Sequence, residues 1–269
     1  MNSQERYSFR SNFNRLVREL RISNRHFVQN PIVEKIKNFV QDSNQYDIIT
    51  QQNSLFRARI CTTEDEAKLG LKDGYDGFDE KGSGAPPASL CGENRANGKG
   101  IKRLYVAESA NTAVAEIKPL LGNAVSVAEM KTLSTFEVLD LAKPSENPDI
   151  PTEIDYLRHL INMQFADICS GDSYGYSFTQ WFSDLVENLG RNMERGKNQK
   201  RGIKYSSAMD LEGKNLVIFG LWEDSGTDNP FDEEHDSESF FGIRAINSKV
   251  YLIKDVKYEL VEKSEYVEI

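Results

Sequence analysis

The chain has 269 residues, 39% hydrophobic and 28% charged, enough to bury a sizeable core as one large domain or as a domain with an appendage. Its 42 acidic and 33 basic side chains leave a formal net charge of −9. That excludes the broad basic surface that would bind nucleic acid directly through its phosphates or adsorb to anionic lipid, although a local cluster of arginines can still hold a small anion. Cys61, Cys91 and Cys169 lie far apart, no CxxC occurs, and the histidines (His26, His159, His235) are scattered. A disulfide framework and a zinc site are therefore not expected, and a reduced compartment is. The longest apolar run, 216–222, falls far short of the roughly 20 residues of a membrane helix. The polar first ten residues hold no signal-type apolar region. The expectation is a cytoplasmic protein with no metal and no membrane attachment.

Residues 1–50 lack Gly and contain one Pro. Phe13, Leu16, Val17, Leu20 and Ile22 recur at helical spacing. Asn30-Pro31 predicts the start of a second helix with the stripe Ile32, Val33, Ile36, Phe39 and Val40. This segment reads as a small helical N-terminal appendage to a main unit at 51–269. Two roles for it stay open: packing on the main unit, or homodimer formation and partner docking. A strand is expected at 54–60. The Gly-rich stretch 62–100, with Pro86-Pro87 and little periodicity, reads as a long loop of the functional or mobile kind. Next come a strand at 101–107, a helix at 110–118 stopped by Pro119, and strands at 124–133 and 136–141. After a linker at 144–151, helices are predicted at 152–169 and 178–194. Short strands at 202–205 and 215–220, an acidic loop at 223–238 and a strand at 250–261 complete the pattern. Strands with interspersed helices give an α+β fold.

Arg57, Arg59, Arg95 and Arg103 stand out in an acidic chain. Arg57 and Arg59, two apart in a strand, face one side of the sheet. An inward arginine needs either an acid or a bound anion, and its planar fork suits a carboxylate or a pyrophosphate. Glu116 lies near the end of a helix of small residues, where the helix dipole disfavours a carboxylate. An arginine partner or a catalytic task would account for it. The run Tyr205-Ser206-Ser207 follows a strand, but no nucleophile elbow surrounds it. GSGAPP lacks the strand and helix of a dinucleotide fingerprint, and no P-loop motif occurs.

Several segments together resemble one family. LFRAR at 55–59, APP at 85–87, NRANGKGIKRLYVAES at 94–109, TAVAEIKP at 112–119, LDLAKP at 139–144 and GIKYSSAMDLEGKNLVIF at 202–219 resemble, in order, a RES-domain protein. The resemblance implies an ADP-ribosyltransferase-like α+β fold and NAD as substrate. It implies the toxin of a bacterial toxin–antitoxin pair, neutralised by an Xre/Cro-type helix-turn-helix antitoxin. The implied activity is NAD glycohydrolase, or NAD phosphorylase with phosphate as co-substrate. Protein ADP-ribosyl transfer and a catalytically inactive interaction module are the alternatives. The family's Arg, Glu and Ser fall on Arg57, Glu116 and Ser207, with Ser206 an adjacent alternative. Its tyrosine falls on Tyr105 and the arginine of its turn on Arg95. That turn reads ENRAN here, without the usual preceding Gly. Arg57, Arg95, Tyr105 and Ser207 are then the NAD-binding residues, and Arg57, Glu116 and Ser207 the catalytic ones.

Overall fold

The chain opens with a capping box. In a computed structural model, which describes residues 1–23, 28–145, 147, 151–167, 173–191, 200–220 and 241–256, the Asn2 side chain accepts the Glu5 N–H and the Glu5 carboxylate accepts the Asn2 N–H. Helix α1 (Ser3–Ile22) follows and buries Phe9, Phe13, Leu16, Val17 and Leu20. Ile22, expected in that stripe, is the last helical residue and is exposed. Helix α2 (Ile32–Gln41) starts as its sequence predicts: Pro31 already has helical angles, and Asn30 Oδ1 accepts the Ile32 N–H at 3.1 Å.

Both helices pack against α5 (Glu153–Ala166) and α6 (Ser177–Arg191). Phe13, Leu20, Ile36, Phe39, Leu160, Phe165, Phe178 and Phe182 form one buried cluster with Leu139, Ile203 and Val217 of the sheet and with Phe219. The Phe13 and Phe178 rings meet edge to face at 5.1 Å. At about 1.5–3 kcal/mol per fully buried large side chain, this shared core is a major source of stability.

The strands are β1 (Tyr46–Ile49), β2 (Leu55–Cys61), β3 (Leu104–Ala107), β4 (Ala124–Thr132), β5 (Phe136–Asp140), β6 (Lys200–Ser206), β7 (Lys214–Ile218) and β8 (Ile243–Leu252). They form one sheet in the order β1-β5-β6-β7-β3-β2-β4-β8, and only β5 and β6 pair in parallel. Strand β1 lies inside the segment read as helical and pairs with β5, Tyr46 opposite Leu139. Gly202 lets β6 approach β7, since a Cβ there would lie 2.4 Å from the Val217 carbonyl oxygen.

Three sequence expectations need correction. The stretch 62–100 is not structureless. It holds α3 (Glu80–Ser83) and is tied down where Tyr75 donates to the Ala245 carbonyl and the Phe78 N–H donates to Ser126 Oγ. The strand expected at 101–107 begins only at Leu104. Among the described residues the last strand runs from Ile243 to Leu252, because β4 offers it a full-length partner, and of the expected stretch only 250–252 are strand while 253–256 are not. The acidic stretch 223–238, Cys169, His26, His235 and residues 257–261 lie outside the described residues. Among the described residues, no helix is long and apolar enough to cross a membrane.

The sheet is nearly split at its centre. Strands β2 and β3 are held by a single residue pair, Phe56 opposite Ala107. Helix α4 (Ala110–Glu116) lies across this seam. Its Ala113 packs in one cluster with Ala58 of β2, Ala107 of β3 and Val125 and Val127 of β4.

Candidate active site

A cleft of about 360 Å³ opens at that seam. Arg57 of β2, Tyr105 of β3, Glu116 of α4, Tyr205 of β6, Asn215 of β7 and Arg95 of the 94–97 turn contribute to its walls. Its volume lies at the lower end of the range for small-molecule sites.

Small residues let α4 sit close to the sheet, and Ser109 caps it by accepting the Thr112 N–H. The helix ends at Glu116, whose Oε1 accepts the Ser207 hydroxyl at 2.6 Å and the Asn215 Nδ2–H at 2.6 Å. Ser207 Oγ in turn accepts the N–H groups of Met209 and Asp210 at 3.0 and 3.1 Å. A hydroxyl has one proton and two lone pairs, so all three are used. At 8% exposure, Ser207 holds and orients the carboxylate. Ser206, the adjacent alternative, turns away and accepts from Asn162 Nδ2 at 2.9 Å. Asn215 had escaped the sequence reading because an asparagine inside an apolar strand run carries no motif. Its strand position directly opposite Tyr205 is the signal that could have found it.

The four arginines divide two and two. Arg103 is 6% exposed, forms a two-pronged ion pair with Glu187 at 2.5 and 3.3 Å, and lies over the Phe219 ring. Arg59 donates to the Gly82 carbonyl and covers the Phe78 ring. Both have partners within the fold, although Arg103 Nε is itself buried without an acceptor among the described residues. Arg57 and Arg95 face the cleft instead. Among the described residues Arg57 reaches only the Tyr105 carbonyl, at 3.4 Å, and its Nε is buried without a partner. Burial, and secondarily the charge of Arg59, push the Arg57 guanidinium down to about 10. It therefore stays charged at neutral pH with no carboxylate within ion-pair distance among the described residues. Arg95 donates to the Asp167 carbonyl at 3.0 Å, lies over the Tyr205 ring, and leaves Nη1 buried and unpartnered. Buried guanidinium N–H groups without acceptors are costly in a folded protein unless an anion visits them.

Tyr105 organises this wall. Its hydroxyl donates to Asn97 Oδ1 at 2.7 Å and accepts the Ala96 N–H at 3.0 Å, which fixes the turn carrying Arg95, while its carbonyl receives Arg57. Burial raises the phenol far above its usual range, so it stays protonated. Tyr205, buried against Phe165, adds a second aromatic wall and is likewise raised by burial. Chemically, the cleft offers a carboxylate held through one oxygen, two guanidinium groups with N–H to spare, and aromatic faces. Among the described residues, no group of three His, Cys, Asp or Glu side chains could hold a metal ion.

A family model described as the RES domain matches residues 70–236, more than half of the chain. Arg95, Tyr105, Glu116, Ser207 and Asn215 fall inside the match, and Arg57 precedes it. A comparison with curated proteins found no match.

Proposed function

Because the chain belongs to the RES domain family, a toxin-type family that acts on NAD, we propose that it is an enzyme that cleaves the nicotinamide–ribose bond of NAD. The observation that carries this reading is the pairing, within one cleft, of the oriented Glu116 carboxylate with the under-satisfied guanidinium groups of Arg57 and Arg95. In the proposed reaction, the C1′–N bond breaks and its electron pair returns to the pyridinium nitrogen. Nicotinamide then leaves neutral and needs no acid. Positive charge builds on the ribose as an oxocarbenium-like centre, which a fixed carboxylate stabilises. Glu116 supplies that charge, with Ser207 and Asn215 holding it. Arg57 and Arg95 hold the pyrophosphate, and the Tyr105 and Tyr205 rings wall the site.

The acceptor that completes the reaction at C1′ is water, which makes a glycohydrolase, or phosphate, which makes a phosphorylase. In this proposal the protein works in the cytoplasm as a toxin neutralised by an Xre-type antitoxin. The test is incubation of purified protein with NAD, with and without phosphate, followed by chromatography. Nicotinamide with ADP-ribose identifies hydrolysis, and a phosphorylated ADP-ribose seen only with phosphate identifies phosphorolysis. No loss of NAD under either condition would overturn the proposal. Labelled ADP-ribose on protein alone would replace it with protein transfer.

A further inference from the structure

Behind the cleft runs a circuit of hydrogen bonds that begins and ends on α4. Thr112 is 1% exposed and donates its only hydroxyl proton to Asp210 Oδ2 at 2.7 Å. The Ser109 hydroxyl, 2.7 Å from Thr112 Oγ1, must then be the donor to it. The Asp210 N–H donates to Ser207 Oγ, and the Ser207 hydroxyl donates to Glu116. Thr112 and Glu116 are four residues apart and share one face of the helix. The 207–213 loop is thus fastened to α4 at two points, one turn apart. The loop is also closed on itself, Ser207 N–H to the Gly213 carbonyl and Gly213 N–H to the Asp210 carbonyl, both at 2.9 Å.

Gly213 shows how tight the outer fastening is. A Cβ there would fall 2.6 Å from Thr112 Cγ2 and 2.7 Å from both Thr112 Oγ1 and Asp210 Oδ2. Only glycine lets the loop settle onto the pair. Neither Thr112 nor Asp210 lines the cleft. Their effect on it passes through Ser207: its lone pairs are both filled only when the N–H groups of residues 209 and 210 converge on Oγ, and its one proton then has Glu116 as its acceptor.

We propose that Thr112 and Asp210 are positioning residues for the NAD cleavage proposed above, fixing the 207–213 loop so that Ser207 holds Glu116 in its working orientation. The inference rests on that functional reading, and its test carries a second readout that does not. Full-length Thr112→Val, Thr112→Ser and Asp210→Ala are compared with the unaltered chain in steady-state kinetics and in amide hydrogen exchange. A displacement of about 1 Å near a reacting centre can lower a rate about 100-fold. Thr112→Val and Asp210→Ala are expected to lower kcat ten- to about a hundredfold, with KM for NAD within about threefold. The Met209 and Asp210 amides should exchange faster while those of Ile203 and Val217 in the sheet keep their protection. Thr112→Ser should restore both readouts.

Unchanged kcat in Thr112→Val or Asp210→Ala overturns the proposal. So does a loss of kcat accompanied by lost protection throughout the sheet and no rescue by serine. Asp210 is half-exposed, so its alanine variant keeps the test open if the buried valine does not fold. If the unaltered protein leaves NAD intact, the functional reading fails by itself. Unchanged protection of the Met209 and Asp210 amides in Thr112→Val then sinks the fastening separately.

Discussion

Replacing Glu116 by Gln separates the charge of the site from its shape. Both hydrogen bonds to Glu116 end on Oε1, from Ser207 and Asn215 at 2.6 Å each. A glutamine carbonyl in the same place accepts both, so the side-chain framework persists. Bonds to a charged acceptor contribute about 1.5–3 kcal/mol and neutral ones about 0.5–1.5, so the two together lose about 2–3 kcal/mol. For a chain of this size that lowers Tm by about 4–12 °C. The effect on rate should be larger in consequence, because the removed charge is the one facing the developing cation. Loss of one such electrostatic element typically lowers kcat by about 10²–10³. NAD loss followed by chromatography, at a temperature where a melting curve shows the variant folded, reads the effect directly. Alanine is the poorer probe, since it strands the Ser207 and Asn215 donors and adds about 1–3 kcal/mol of destabilisation for each. A folded Glu116→Gln protein that keeps more than about a tenth of the rate would refute the assignment of the carboxylate.

The other predictions concern charges and the N-terminal segment. Arg57→Met should raise Tm by a few degrees, because an under-satisfied charge is removed, while weakening NAD binding at least about thirtyfold in a calorimetric titration. A fall in Tm with unchanged binding would make Arg57 structural. Arg103→Met should do the reverse, since it strands Glu187: stability falls by about 3 kcal/mol or more in urea melts and KM for NAD holds. Lys204 is 5% exposed, with Asp47, Asp140 and Glu108 carboxylates at 2.6, 3.1 and 3.4 Å. Burial alone would lower this ammonium, but those carboxylates raise it overall. A folded value above the unfolded one gives stability that is full below about pH 10 and lost as pH rises through the folded value. Lys204→Met should be destabilised at neutral pH and regain stability as the stranded carboxylates protonate on acidification; urea melts at several pH values would expose a flat profile if this is wrong. The boundary between residues 50 and 51 remains a proposal about folding units. Deleting residues 1–50 strips Phe13, Leu20, Ile36 and Phe39 from the cluster they share with α6, so the shortened chain should melt well below the full one or aggregate. An unchanged Tm would mean that the appendage adds little to the core.

How much of the fold could be read in advance follows from how each element is stabilised. Helices α1, α2, α5 and α6 announce themselves because their apolar faces repeat along one segment, and β2, β4 and β7 because their apolar runs are dense. Strand β1 stayed hidden because its four residues take their identity from β5, a partner some ninety positions later. Strand β8 was misplaced for the same reason: its bounds are set by the length of β4, not by its own composition.

The site follows the same division. Arg57, Arg95, Tyr105, Glu116 and Ser207, named from the sequence, do meet around one cleft and its supporting network. What the sequence could not supply is which arginines have an acid partner. Arg57 and Arg103 look alike as inward cations in a strand-forming stretch. Only the tertiary structure brings Glu187 to one and sets the other in the wall of the cleft. The contrast carries a physical consequence. Arg103 has its acid built in and serves the fold, whereas Arg57 Nε and Arg95 Nη1 have no acceptor among the described residues and belong to residues of the cleft wall. The same logic orders the two serines, since Ser206 is committed to α5 and Ser207 to Glu116. An acid partner in one case and a place in the cleft wall in the other, rather than residue type, therefore separate the arginines that hold the fold from those placed to hold a ligand.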